Sequence, residues 1–271
     1  MFRVYVSFRS MRLRFGVREM ALLGIFAAVH LVITLIPFSI SVGGGATISF
    51  GLVSAPIMGF LLGPFFGVWA VLIGSAIAIS LNPTLAVIGP FTILATAAGA
   101  FGAGAFRTEL RYIMPLFFGI NIALYLFGPI GSLVPMFVWF HLIMFLVSFL
   151  FVIPGISPKL IEQLGFVHST NRASKLFSIW ILSLVSVTLD QATGSVLGAY
   201  YFVSVLGLPA ATIAVYFDLT VFVYPIERLL GSIIVAVILL ALGETISRTD
   251  FGLPLTNLDS AELAELKEDE I

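Results

Sequence analysis

Two charged residues stand side by side near the start of a long apolar run, Glu227 and Arg228 in "YPIERLLGSIIVAVILLALG". A second run, "SIWILSLVSVTLDQATGSVLG", carries Ser183, Ser186, Asp190 and Thr193 at spacings of 3, 4 and 3, which a helix gathers on one face. An uncompensated charge in hydrocarbon costs about 2.5–3.5 kcal/mol even on the lenient insertion scale, so each of these groups needs a partner or a wet cavity. Neighbouring residues on a helix point about 100° apart, so Glu227 is badly placed to pair with Arg228. The anion that answers Arg228 is then Asp190, Asp218, or a ligand carboxylate or phosphate, which the planar fork of a guanidinium suits well.

Two readings of these groups stay open. Asp190 and Arg228 either lock two helices together or line a polar pocket open to the outside that binds a small molecule. The candidate substrate-binding residues are Arg228, Asp190, Ser186, His30, Asp218 and Glu227, with a place in the headgroup zone as the alternative for Glu227. His30 falls near the middle of the first apolar run, where a histidine either packs through hydrogen bonds or touches a ligand. None of the three histidines has metal-ligand spacing, and no HExxH or acidic metal cluster occurs. With no Cys there is no thiol nucleophile, thiolate metal site or disulfide. Neither a metal nor a cofactor is expected, and catalytic residues are absent from this reading.

The composition says what must position these groups. Hydrophobic residues make up 60% of the chain and charged residues only 10%, against roughly 25% charged in a soluble domain. With a mean hydropathy of +1.15 and repeated apolar stretches of spanning length, the expectation is an all-α polytopic membrane protein. Eight runs are candidate spans: residues 20–37, 48–62, 65–81, 85–106, 112–127, 133–153, 175–198 and 225–246. "GPFFG" at 63–67 reads as a tight turn between the second and third, because Pro64 breaks a helix and Gly tolerates unusual dihedrals. Residues 199–223, split by Gly207 and Pro209 and carrying Asp218, read as an outer cap; a true span there would reverse the last helix.

Three regions follow: a basic cytoplasmic arm at 1–18, a transmembrane helical domain at 19–248 and an acidic cytoplasmic tail at 249–271. With the arm inside, twelve of the thirteen Lys and Arg residues fall on the cytoplasmic side of this layout, and Arg228 is the exception. The expected location is the cell membrane, multi-pass, with both termini cytoplasmic.

Small residues supply the remaining pattern. Gly24 and Ala28 stand four apart on the first run, and Gly59, Gly63, Gly67, Gly74 and Ala78 mark the second and third. Such patches let helix backbones approach closely in lipid. The stretch "ALLGIFAAVHLVITLIPFSI", followed by "ATISFGLVSAPIMGFLLGPFFGVWAVLIGSAIAIS", resembles the opening of the substrate-binding S components of energy-coupling factor transporters. The likeness covers roughly residues 18–107. It implies an S-component-like bundle of six core helices that captures a vitamin-like small molecule; with eight runs here, either two spans are added as a hairpin, 112–153 being the candidate, or some runs are half-spans. It also implies a transmembrane coupling subunit and two cytoplasmic ATPases as partners, with Gly24 and Ala28 at the coupling-subunit contact. The family usually has Ala where Gly24 stands. The loop at 41–49 would form part of a lid over the pocket.

The expected function is therefore a membrane substrate-capture subunit that performs no chemistry itself and takes its energy from partner ATPases. The alternatives are a membrane-embedded enzyme acting on a lipid or prenyl substrate, or an ion-coupled secondary transporter with Asp190 as the titrating group. The lipid bilayer is an expected partner and nucleic acid is not.

Overall fold

The computed structural model describes residues 16–36, 40–42, 46–48, 50–164 and 171–246, so most of the basic arm and all of the acidic tail lie outside the described residues. Nine α-helices occur among them: α1 (Val17–Leu35), α2 (Gly51–Leu81), α3 (Thr92–Ala105), α4 (Met114–Leu126), α5 (Trp139–Ser148), α6 (Ser157–Leu164), α7 (Arg172–Tyr200), α8 (Ala210–Thr220) and α9 (Val223–Ile246). Between α1 and α2 the chain forms a small antiparallel ladder, β1 (Ile40–Val42) with β2 (Ala46–Ile48), in which Ser41 faces Thr47.

The chain is an all-α polytopic membrane protein. Five helical stretches among the described residues are long and apolar enough to cross a bilayer: Val17–Leu35, Gly51–Leu81, Glu109–Leu126, Arg172–Val205 and Val223–Ile246. Large apolar side chains stand exposed around the bundle, among them Ile25, Val32, Leu116, Leu146 and Val237. Hydrocarbon accepts such a surface and water does not.

The eight expected spans are present as helix but not all at spanning length. The second and third join as α2, which breaks at Gly63 (φ 81°, ψ 173°), a conformation close to exclusive to Gly. A Cβ on Gly67 would lie 2.5 Å from Gly59 Cα, so the chain doubles back there and "GPFFG" is the tight turn its residues imply. Residues 51–62 are all buried, and at 1.5 Å per residue they extend roughly 18 Å. They form a half-length helix at the centre of the bundle. Its carboxyl end is capped from outside, since Arg107 Nη1 donates to Phe60 O at 2.5 Å and the guanidinium lies 4.1 Å over the Phe60 ring. A cation at that end also meets the negative pole of the helix.

Pro and Gly shorten the fourth and sixth runs. Turns of 3-10 helix at Pro83–Leu85 and Gly89–Phe91 delay α3 until Thr92, and Pro135 opens a broken segment, Pro135–Phe151. Residues 199–223 hold no separate helix of spanning length. A π-helical turn at Tyr201–Val205 and a positive φ at Gly207 lead into α8, which is too short to span. α7 and α9 run antiparallel, because Arg172 Nε pairs with Glu244 at 3.2 Å near one end while Gln191 meets Arg228 toward the other.

The two ends of the bundle differ in charge. Gly104 packs on Pro64, and the Phe106 ring lies tilted against Phe151, centroids 4.8 Å apart, just before α6. Arg107, Arg111, Arg172 and Lys175 therefore gather at one end. The starts of α2, α3, α5 and α9 and the end of α7 meet at the other, which holds Arg228.

Candidate functional site

α7 is the long element that carries the polar stripe. Asn171 starts it, its side chain accepting from the backbone N–H groups of Ala173 and Ser174. Ser183 and Ser186 donate to the carbonyls of Ile179 and Leu182 and are wholly buried. The stripe faces α3, whose Gly and Ala residues leave room for it. A Cβ on Gly99 would lie 3.1 Å from Asp190 Cβ, and one on Gly102 would lie 3.0 Å from Leu189. The stripe thus turns inward, as a polar face must in lipid, and Asp190 lies at its upper part.

α9 brings the charges to meet it. Pro225 lies in the first turn of α9, where its missing N–H costs nothing. Tyr224 fixes this start by donating to Phe137 O at 2.7 Å, and the indole of Trp139 donates to Val221 O at 3.0 Å. Arg228 is 5% exposed and Glu227 3%. Arg228 Nη2 donates to the side-chain oxygen of Gln191. Asp190 and Glu227 lie within electrostatic range of the guanidinium but neither forms a direct ion pair with it.

Around these groups lies a cavity of about 300 Å³. Its polar members include Asp190, Gln191, Glu227 and Arg228, and its apolar wall includes Phe137 and Phe217. Glu227 Oε1 and Arg228 Nε are buried without a hydrogen-bond partner. A buried polar atom left unpaired is costly, and this site holds two of them.

The structure brings together Arg228, Asp190 and Glu227 and leaves out the other three candidates. Ser186 is sealed against Leu182 O, below the cavity. His30 is a packing knot: Nδ1 lies 2.7 Å from Ser54 Oγ and Nε2 2.8 Å from Ser75 Oγ, tying α1 to both halves of α2. Asp218 is exposed on α8 and does not line the cavity. Glu227 is buried among the groups of the site. Two expectations about Arg228 are also corrected, since its direct partner is neither Asp190 nor Asp218 but the neutral Gln191. Sequence reasoning passed over Gln191, although a second polar residue beside Asp190, with Ser195 four residues on, marked it.

A second concavity, of about 340 Å³ and apolar, runs along α1 and the later half of α2. Met20, Gly24, Ala28, Ile73 and Ile77 line it. A Cβ on Gly24 would touch nothing within 4 Å, whereas one on Gly74 would strike Ala27 O at 2.6 Å. Gly74 therefore serves packing inside the chain, and Gly24 does not. The chain matches no family model, no curated protein and no solved structure.

Proposed function

We propose that this chain is a membrane subunit that captures a vitamin-like small molecule from outside the cell and performs no covalent chemistry. The observation that carries the reading is the cavity between α3, α7, α8 and α9, where Glu227 Oε1 and Arg228 Nε are buried and unpartnered. A structural ion pair would have joined Arg228 to a carboxylate, and neither Asp190 nor Glu227 pairs with it. The cavity lies at the end of the bundle opposite Arg107, Arg111, Arg172 and Lys175. By the positive-inside rule this supports a cytoplasmic side for those cations and for both termini, and an outward-facing cavity. Of the loop at 41–49, expected to form part of a lid, residues 43–45 and 49 lie outside the described residues.

The groove at Gly24 and Ala28 supports a docking face for a transmembrane coupling subunit that carries two ATPases. Small residues with open space above them accept the backbone of a second helix. Gentle solubilisation of the tagged chain from its own membranes tests the assembly. A coupling subunit with ATPases in the eluate supports the reading, and a lone chain with activity on a lipid substrate ends it. An ion-coupled secondary transporter is the second reading, favoured by the Asp190 carboxylate, which makes no hydrogen bond or ion pair among the described residues. Uptake that survives ATP depletion and collapses with an uncoupler selects that one.

A further inference from the structure

The polar atoms of the cavity wall divide into those already in use and those left over. Thr92, Thr96, Ser195 and Thr220 each donate to a backbone carbonyl of their own helical turn, at Gly89, Thr92, Gln191 and Phe217 respectively. Tyr224 donates to Phe137 O. Gln191 gives its oxygen to Arg228 and an N–H to Ser195. Apart from the exposed phenol of Tyr216, what remains is the Asp190 and Glu227 carboxylates, the N–H groups of Arg228 other than the one given to Gln191, and the second N–H of Gln191. Neither carboxylate has a hydrogen bond or ion pair among the described residues.

Donors and acceptors both remain, but the formal charges do not balance. One guanidinium faces two carboxylates, so with both ionised this site, walled by apolar groups, carries one negative charge more than it pairs. Desolvated charge is stable only when paired and hydrogen-bonded. The missing complement is one positive charge that carries N–H donors. The faces of Phe137, Phe202, Phe217 and Tyr224 add to the preference, since aromatic rings attract cations.

Resting on the capture reading above, we propose that the ligand is a small organic cation with a flat apolar body. Its protonated nitrogen donates to Asp190 and Glu227, and an acceptor on the same molecule meets a free N–H at the outer end of the Arg228 guanidinium. At about 300 Å³ the cavity is at the small end of ligand pockets, which suits a one- or two-ring molecule.

Three probes of matched shape and different charge test this on the purified full-length chain: 3-phenylpropylamine, 3-phenylpropanol and 3-phenylpropanoate. The amine is expected to raise the melting temperature at the lowest concentration and the carboxylate to have no effect. Loss of either carboxylate, as Glu227→Gln or Asp190→Asn, is expected to shift the amine requirement upward by about tenfold or more, the range of a hydrogen bond to a charged group. Should Glu227→Gln fail to fold, the less buried Asp190→Asn carries the comparison alone. The proposal is overturned if the carboxylate probe stabilises as well as the amine, if the amine effect survives Asp190→Asn unchanged, or if no probe shifts the melting temperature. A chain that keeps its coupling subunit and ATPases yet prefers the anion would retain capture and lose the cationic ligand. An amine-stabilised chain without partners would do the reverse.

Discussion

Arg228 donates to the side-chain oxygen of Gln191, a neutral group, although two carboxylates lie within electrostatic range. The amide holds the guanidinium in place without cancelling its charge, and so leaves both the cation and the carboxylates free to act on a bound molecule.

Replacing that amide separates holding from neutralising. Gln191→Leu strips a buried guanidinium of its acceptor and is expected to cost about 1.5–3 kcal/mol of stability, read as a fall in melting temperature. Gln191→Glu supplies an anion in its place. It is expected to hold the fold but to alter ligand affinity, because it adds a negative charge to the cavity; unchanged affinity would show that the charge balance does not govern binding.

His30 serves the fold and not the ligand. His30→Leu leaves the hydroxyls of Ser54 and Ser75 without their ring nitrogens in a buried site, which is expected to cost about 2–4 kcal/mol. Ligand affinity, measured in the folded fraction by equilibrium binding, should stay at the parent value.

The helix contacts at Gly59 and Gly24 should respond oppositely to added bulk. A Cβ on Gly59 would lie 1.8 Å from Ala100 O, so Gly59→Ala must push α2 and α3 apart and is expected to cost about 1–3 kcal/mol. Gly24→Leu fills the open groove of α1 and is expected to leave the melting temperature unchanged while reducing co-purification of the coupling subunit. A stability loss for Gly24→Leu comparable to that of Gly59→Ala would assign the groove to internal packing.

Arg107 closes the short central helix. Arg107→Met removes both the hydrogen bond to Phe60 O and the cation over the Phe60 ring, and about 2–4 kcal/mol of stability is expected to go with them. Hydrogen exchange should show the loss first at residues 58–62, the end of the helix that the guanidinium holds.

Local periodicity made much of this architecture legible. The apolar runs became helices, the polar stripe of α7 turned inward, and "GPFFG" folded back at Gly63, because each follows from spacing and residue type within a few turns. Span length was not legible in the same way. Residues 85–106 are apolar throughout, yet Gly89 and Pro90 form a separate turn before α3. Partners distant in sequence were the least accessible. That His30 belongs to Ser54 and Ser75, and Arg228 to Gln191, depends on how separate helices dock, which no single run encodes. The stripe predicted that Asp190 would sit in a polar interior; it could not show that Ser186 ends below the cavity and Glu227 inside it.

The account stands on the cavity at Arg228 being open to the outside. The chain contains no cysteine, so a single Thr220→Cys in the cavity wall provides a clean probe. A membrane-impermeant maleimide added to intact cells is expected to label this cysteine, and 3-phenylpropylamine to slow the labelling. Labelling only from inverted vesicles would place the cavity on the cytoplasmic side and contradict the account.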